Sequence, residues 1–296
     1  MANTDNRGVT LIELLVAIII SAFLVTGIYS LFIVQTRTYS VQDSVADIQQ
    51  DARAVLAMMV KDIRMAGFLT GGGTASGFTV GGGATPISLR GTDRSYALEF
   101  TNSSVASDEI TVVCARDFVG EVTAVPVANQ VTVDQTVSLI ANDYVAFDLH
   151  NSTLYQVQSA TGNTITLTSS PSPAIVVGER VYKVDSVTYS VDAVDGELDR
   201  NGQPVAGGGG ATIVEDLQFA YQVDGDTTWH NTIPGGSSNA DIRMVRVNLI
   251  VRTAVPDPED TGFSKPACED RAEETTNTGC RRRLYTTTVK VRNLDL

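Results

Sequence analysis

Gly8-Val9-Thr10-Leu11-Ile12-Glu13-Leu14-Leu15-Val16-Ala17 opens an apolar run that continues to about Val34 with one acid and no base. An unpaired carboxylate in hydrocarbon costs several kcal/mol, so Glu13 reads as a residue with a task. The 26 residues from Val9 to Val34 exceed the roughly 20 needed to cross a bilayer core. A cleaved secretory signal carries an apolar stretch of only about 7–15 residues and a small-residue exit. Here the run is longer and ends in Gln35-Thr36-Arg37. Arg7 is offset by Asp5, so the charge flanks orient the segment weakly.

Beyond the run the helical pattern continues. No Pro occurs from Val9 to Ile63, and Val41, Val45, Ile48, Ala52, Val55, Leu56, Met59 and Ile63 recur at steps of three and four. Gln42, Asp43, Asp47, Gln50, Asp51, Arg53 and Lys61 lie largely off that stripe. Packing against a sheet explains it. Gly67 supplies the stop signal. The spacing predicts one helix from Val9 to Ala66, about 87 Å at about 1.5 Å per residue. Its first part, 9–34, is lipid-like, and its second, 35–67, is amphipathic. Gly27 is the weakest helix former of the anchor, at about 1 kcal/mol relative to Ala.

The chain has 296 residues, a formal net charge of -13 and 43% hydrophobic residues. The acidic balance argues against general nucleic-acid affinity, which needs phosphate-neutralising bases. Thr, Val, Ser and Gly are abundant and favour strands and turns in the body. Residues 68–86 read as a Gly-rich linker, since 70–86 is TGGGTASGFTVGGGATP. As a phosphate loop it lacks the Lys-Ser/Thr ending and a preceding strand. Short strand-like runs separated by turn residues fill 87–179, a β-rich module. Longer alternating runs at Arg180–Val194, Ile213–Val223, Ile242–Val255 and Leu284–Leu294 predict an antiparallel sheet over 180–296 that covers the amphipathic helix. Helix first and sheet after makes the fold α+β: a long N-terminal helix, transmembrane in its first half, packed by its second half on an antiparallel sheet, with an additional β-rich module.

Candidate chemistry is sparse. Cys268 and Cys280 share a polar loop and form a possible disulfide if the body faces an oxidising compartment, leaving Cys114 as a buried free thiol. A metal site is the rival reading, but no CxxC or HxxxH accompanies these residues. His150 and His230 have no Ser, Cys or acid at catalytic spacing and read as loop or strand-end residues. Asp192 to Gly202, DAVDGELDRNG, superficially matches a calcium loop through Glu197, Asp199, Asn201 and Gly202. Gly208 stands where the chelating acid is needed, so a hairpin is preferred. Arg281-Arg282-Arg283 is expected to pair with nearby acids such as Glu269, Asp270, Glu273 and Glu274. No catalytic residue, cofactor or specific nucleic-acid partner is predicted.

The GVTLIELL stretch resembles the class III signal of type IV pilins and of type II secretion pseudopilins. The resemblance implies a leader of residues 1–8, cleavage by prepilin peptidase between Gly8 and Val9, N-methylation of Val9, and Glu13 as the fifth mature residue. Ile48–Leu56 (IQQDARAVL), Lys61–Phe68 (KDIRMAGF), Gly196–Arg200, Val214–Tyr221, Ile242–Val247 and Val291–Leu294 resemble the PilW-type minor pilins. This implies a non-enzymatic assembly subunit in a bacterial inner membrane, its body periplasmic, and in the pilus fibre. Its implied partners are other minor and major pilins, the assembly platform and membrane lipid. Two alternatives stand beside it: a minor pseudopilin of type II secretion, and a signal-anchored envelope enzyme or binding protein.

Overall fold

The computed structural model describes residues 9–150, 152–172, 174–208, 210–257, 264–275 and 278–294. The expected leader lies outside them. The chain divides into two compact units, Met1–Asp47 and Ile48–Leu296.

Helix α1 runs Leu11–Met65, as its spacing predicts. Residues 9–36 are all exposed. Burial begins at Ile48 and follows the stripe through Ala52, Val55, Met59 and Ile63. Leu56 is only half-buried, and the stripe gains a buried acid, Asp62. Gly67 ends the helix with φ +78°, a left-handed conformation that favours glycine. A Cβ there would stand 2.8 Å from Leu294 Cδ2 and 2.9 Å from the Asn293 carbonyl oxygen.

Among the described residues sixteen strands follow: β1 (Phe78–Val80), β2 (Gly83–Thr85), β3 (Ile87–Leu89), β4 (Thr92–Arg94), β5 (Leu98–Thr101), β6 (Glu109–Glu121), β7 (Gln130–Thr132), β8 (Tyr144–Phe147), β9 (Thr153–Thr161), β10 (Thr164–Leu167), β11 (Arg180–Asp192), β12 (Glu197–Arg200), β13 (Gln203–Gly207), β14 (Thr212–Val223), β15 (Ile242–Thr253) and β16 (Arg282–Lys290). Two pairings differ from expectation. Residues 68–86 are not a bare linker: β1 pairs with β2 and, in parallel, with β9, and Phe78 is fully buried. Gly77 permits this turn, because a Cβ would overlap the backbone of Thr85 and Pro86. The expected boundary at 180 also moves. β11 joins an eleven-stranded sheet, and the three-stranded sheet is β14-β15-β16. The reason is edge occupancy: β6 takes one side of β11 from Arg180 to Tyr189, while β8 and β12 take the other. Only residues 185–188 lie between those two partners, too short a stretch for β14, which pairs along its length with β15.

One large core joins the helix stripe to residues from both sheets, such as Val187 and Tyr189, and Phe219, Val247 and Leu249. A second core, with Phe147, Tyr155, Val157, Ile165 and Val181, fills the β7–β10 region.

Candidate functional site

The N-terminal site begins with a helix cap. Thr10 Oγ1 accepts the Glu13 backbone N–H at 3.3 Å, and the Thr10 carbonyl accepts it at 3.1 Å. Thr10-x-x-Glu13 is the sequence signature of a capping box, a signal available in the sequence that the apolar-run reading passed over. It fixes Glu13 in the first turn, where the helix dipole favours a negative charge. The remaining Ser and Thr hydroxyls of the run satisfy themselves: Ser21 donates to the Ala17 carbonyl, Thr26 to Ala22 and Ser30 to Thr26, at 2.7, 2.8 and 3.0 Å. Glu13 is therefore the one charged group in a long apolar surface. Leu11 and Ile12 are 81% and 71% exposed, and no part of the most apolar window is buried in the protein. Val9 lies at the start of this surface, exposed; Gly8 lies outside the described residues.

A second constellation fixes the other end of the helix. Asp62 is 3% exposed. Its Oδ1 meets Arg116 Nη2 at 3.0 Å; its Oδ2 accepts Tyr189 Oη at 2.8 Å and the Arg200 Nε and Nη2 at 3.1 and 3.0 Å. Burial pushes the Asp62 carboxyl up, but the Tyr189 hydrogen bond and the two guanidinium groups outweigh it and leave it below the usual range. Three strands, β6, β11 and β12, thus converge on one helical carboxylate. One turn on, Asn293 Nδ2 donates to the carbonyls of Arg64 and Ala66 at 3.3 and 3.4 Å, capping the helix with the last described stretch of chain. The sequence stripe missed Asp62, since an acid on the apolar face breaks the pattern that identifies the face.

Other sequence candidates land elsewhere. Cys114, Cys268 and Cys280 are buried free thiols, so the expected Cys268–Cys280 pairing is not made. Ion pairs hold their loop instead. Lys265 Nζ and Arg271 Nε meet the buried Asp216 at 2.9 and 3.2 Å, and Arg246 grips Glu269 through two hydrogen bonds at 2.7 and 2.8 Å. Burial pushes the Cys268 thiol up to about 12. Nearby, Asp108 is raised to about 6 by burial, with Asp270 and Asp216 adding to it against two backbone N–H donors. Arg281 pairs with Asp257 and Arg282 with Glu215, and Glu274, one of the acids expected, acts on Arg282 through its charge. Asp192 to Gly202 forms two successive hairpins, with Asp192 Oδ1 accepting the Val194 N–H of its own turn. Among the described residues no three His, Cys, Asp or Glu are grouped to hold a metal. His150 is buried, its Nδ1 3.1 Å from Tyr155 Oη and its Nε2 3.5 Å from Glu179; His230 Nε2 lies 2.8 Å from Asp226.

A capped, exposed apolar helix bearing one acid, continued by a helix packed on sheets, defines a pilin-like, membrane-anchored protein. Residues 3–29 match the prokaryotic N-terminal methylation motif, and residues 155–293 match the family of Type IV Pilus-assembly protein W, PilW. The two matches, at opposite ends of the chain, support a type IV minor pilin of PilW type. Among solved structures, a type IV-like pilin from Thermus thermophilus aligns at 14% identity, covering 83% of this chain and 97% of its own, with a TM-score of 0.42. No curated protein matches the chain.

Proposed function

We propose that the chain takes part in type IV pilus assembly, in a priming or tip complex, by helix bundling and by a contact between Glu13 and an N-terminal amine after leader cleavage. The observation that carries this reading is the lone Glu13 in an otherwise uncharged, uncovered helix surface. The precursor sits in the inner membrane with its body in the periplasm. Before cleavage Glu13 stays near the lipid interface and keeps its hydration. In a bundle leaving the bilayer it needs a partner, and a new amine at Val9, with a reference pKa of about 8, supplies one as a cation. Such a pair sets axial register between neighbouring subunits, and the Leu, Ile and Val surface supplies cohesion. The chain acts as a substrate of prepilin peptidase and as a neighbour of other pilins, without catalytic work of its own.

The test is the mass of the N-terminal peptide from membrane and sheared-fibre fractions. An N-methylated Val9 is expected. A chain that keeps residues 1–8 in both fractions overturns the reading.

A further inference from the structure

β16 is the outer strand of its three-stranded sheet, and its free side carries no hydrogen-bond partner among the described residues. Its pairing with β15 runs in one unbroken register from Met244–Lys290 to Arg252–Arg282. It holds no Pro and no bulge. A straight edge of this kind presents a row of unpaired N–H and C=O groups.

Three further observations bear on what it meets. The first is cover. On the helix-facing side Val247 and Leu249 of β15 are fully buried, but the β16 residues opposite them, Thr287 and Tyr285, are only partly buried. Val289, opposite Val245, is still buried in the core, so the apolar layer thins along this strand towards Thr287 and Tyr285. The second is the Tyr285 hydroxyl, which is shielded from solvent and has no hydrogen-bond partner among the described residues. The third is charge. Residues 281–292, RRRLYTTTVKVR, carry five bases and no acid in a chain of net charge -13. Arg281 and Arg282 are engaged by Asp257 and Glu215. Arg283 and Lys290, exposed towards the two ends of the strand, form no ion pair among the described residues. Two copies of β16 paired antiparallel about Thr286 set Arg282 of one directly opposite Lys290 of the other, two bases on one face, which disfavours a second copy as the occupant.

We propose that β16 is a docking edge for an extended segment of another protein subunit, a short run of β-branched and apolar residues with acidic side chains near its ends. The segment adds as a fourth strand. Its backbone satisfies the free edge, its alternate side chains cover Thr287 and Tyr285, and its carboxylates meet Arg283 and Lys290. The inference extends the assembly reading to a contact separate from the membrane helix. Its test uses the isolated full chain, so it does not depend on leader cleavage or on fibre formation.

The probes are three nine-residue peptides of Val, Thr and Ser: one with Glu near both ends, one with Lys in those places, and the Glu peptide N-methylated at alternate backbone nitrogens. Binding is measured to the full chain in detergent micelles, with hydrogen exchange of the β16 amides read by mass spectrometry. The Glu peptide is expected to protect β16, the methylated peptide to protect nothing, and the Lys peptide to bind about tenfold more weakly or worse. Arg283→Glu, an exposed change that leaves thermal unfolding in place, narrows or reverses the preference. Equal affinity for Glu and Lys peptides, protection that survives backbone methylation, or binding by none of the three overturns the proposal.

Discussion

Asp62 and Asp108 are two buried carboxyls driven in opposite directions by their surroundings. Asp62 is held below its reference value of 3.8 by Tyr189, Arg116 and Arg200 acting against burial. Its contribution is present above about pH 4 and is lost as pH falls through its lowered native value. Asp108 is raised from 3.8 to about 6, chiefly by burial. The folded state then binds a proton before the unfolded chain does, so stability from this group rises as pH drops from about 6 to about 4. Together the two place their combined stability maximum at about pH 4, near the unfolded carboxyl value, a profile that denaturant unfolding across about pH 3–8 measures. Asp62→Asn removes the acid limb of that profile. It also lowers stability by about 3 kcal/mol at neutral pH, because two guanidinium groups lose their carboxylate. A flat profile in the parent chain, or an Asp62→Asn variant as stable as the parent, contradicts the assignment.

At the level of elements, α1 is one helix in two environments. Its first part shows apolar side chains all round, and its second buries a stripe. The same 3.6-residue geometry serves both, because burial is decided by what packs against a face and not by the backbone. Its end is set by a joint. Gly67 takes a left-handed turn, its N–H donates to the Val113 carbonyl at 3.0 Å, and Asn293 caps the carbonyls just before it. Gly67→Ala places a methyl against Leu294 and Asn293 in a strained backbone conformation. A loss of about 2 kcal/mol or more is expected, read as a lowered thermal midpoint. A similar division of labour holds the C-terminal loop, where the ion pairs of Asp216 and Glu269 fix what a disulfide does not.

For the whole molecule, the body and the anchor answer to different forces. The body has its own cores and its own ion-pair network, all within Ile48–Leu296. Glu13 lies in the other unit. Glu13→Leu is therefore expected to leave thermal unfolding of the body unchanged and membrane insertion intact, while the chain drops out of the sheared-fibre fraction. Immunoblots of membrane and fibre fractions check this. Fibre incorporation equal to the parent's removes Glu13 from the assembly contact.

The sequence by itself determined what is local or periodic. The apolar run with Glu13, the helix and its stop at Gly67, and the alternating strands all follow from spacing, because side-chain direction repeats with the backbone. The PilW-type resemblance was legible in the same way, from contiguous motifs. Only the tertiary structure decided the pairings between distant segments. Nothing in the alternation of β11 says that β6, β8 and β12 will take its two edges and leave too short a stretch for β14. Nothing near Asp62 announces Arg116, Tyr189 and Arg200, and two cysteines in one loop do not state whether they meet. A register of strands, a buried charge and its counter-charges come from segments far apart in the chain, so they exist only once the chain has folded.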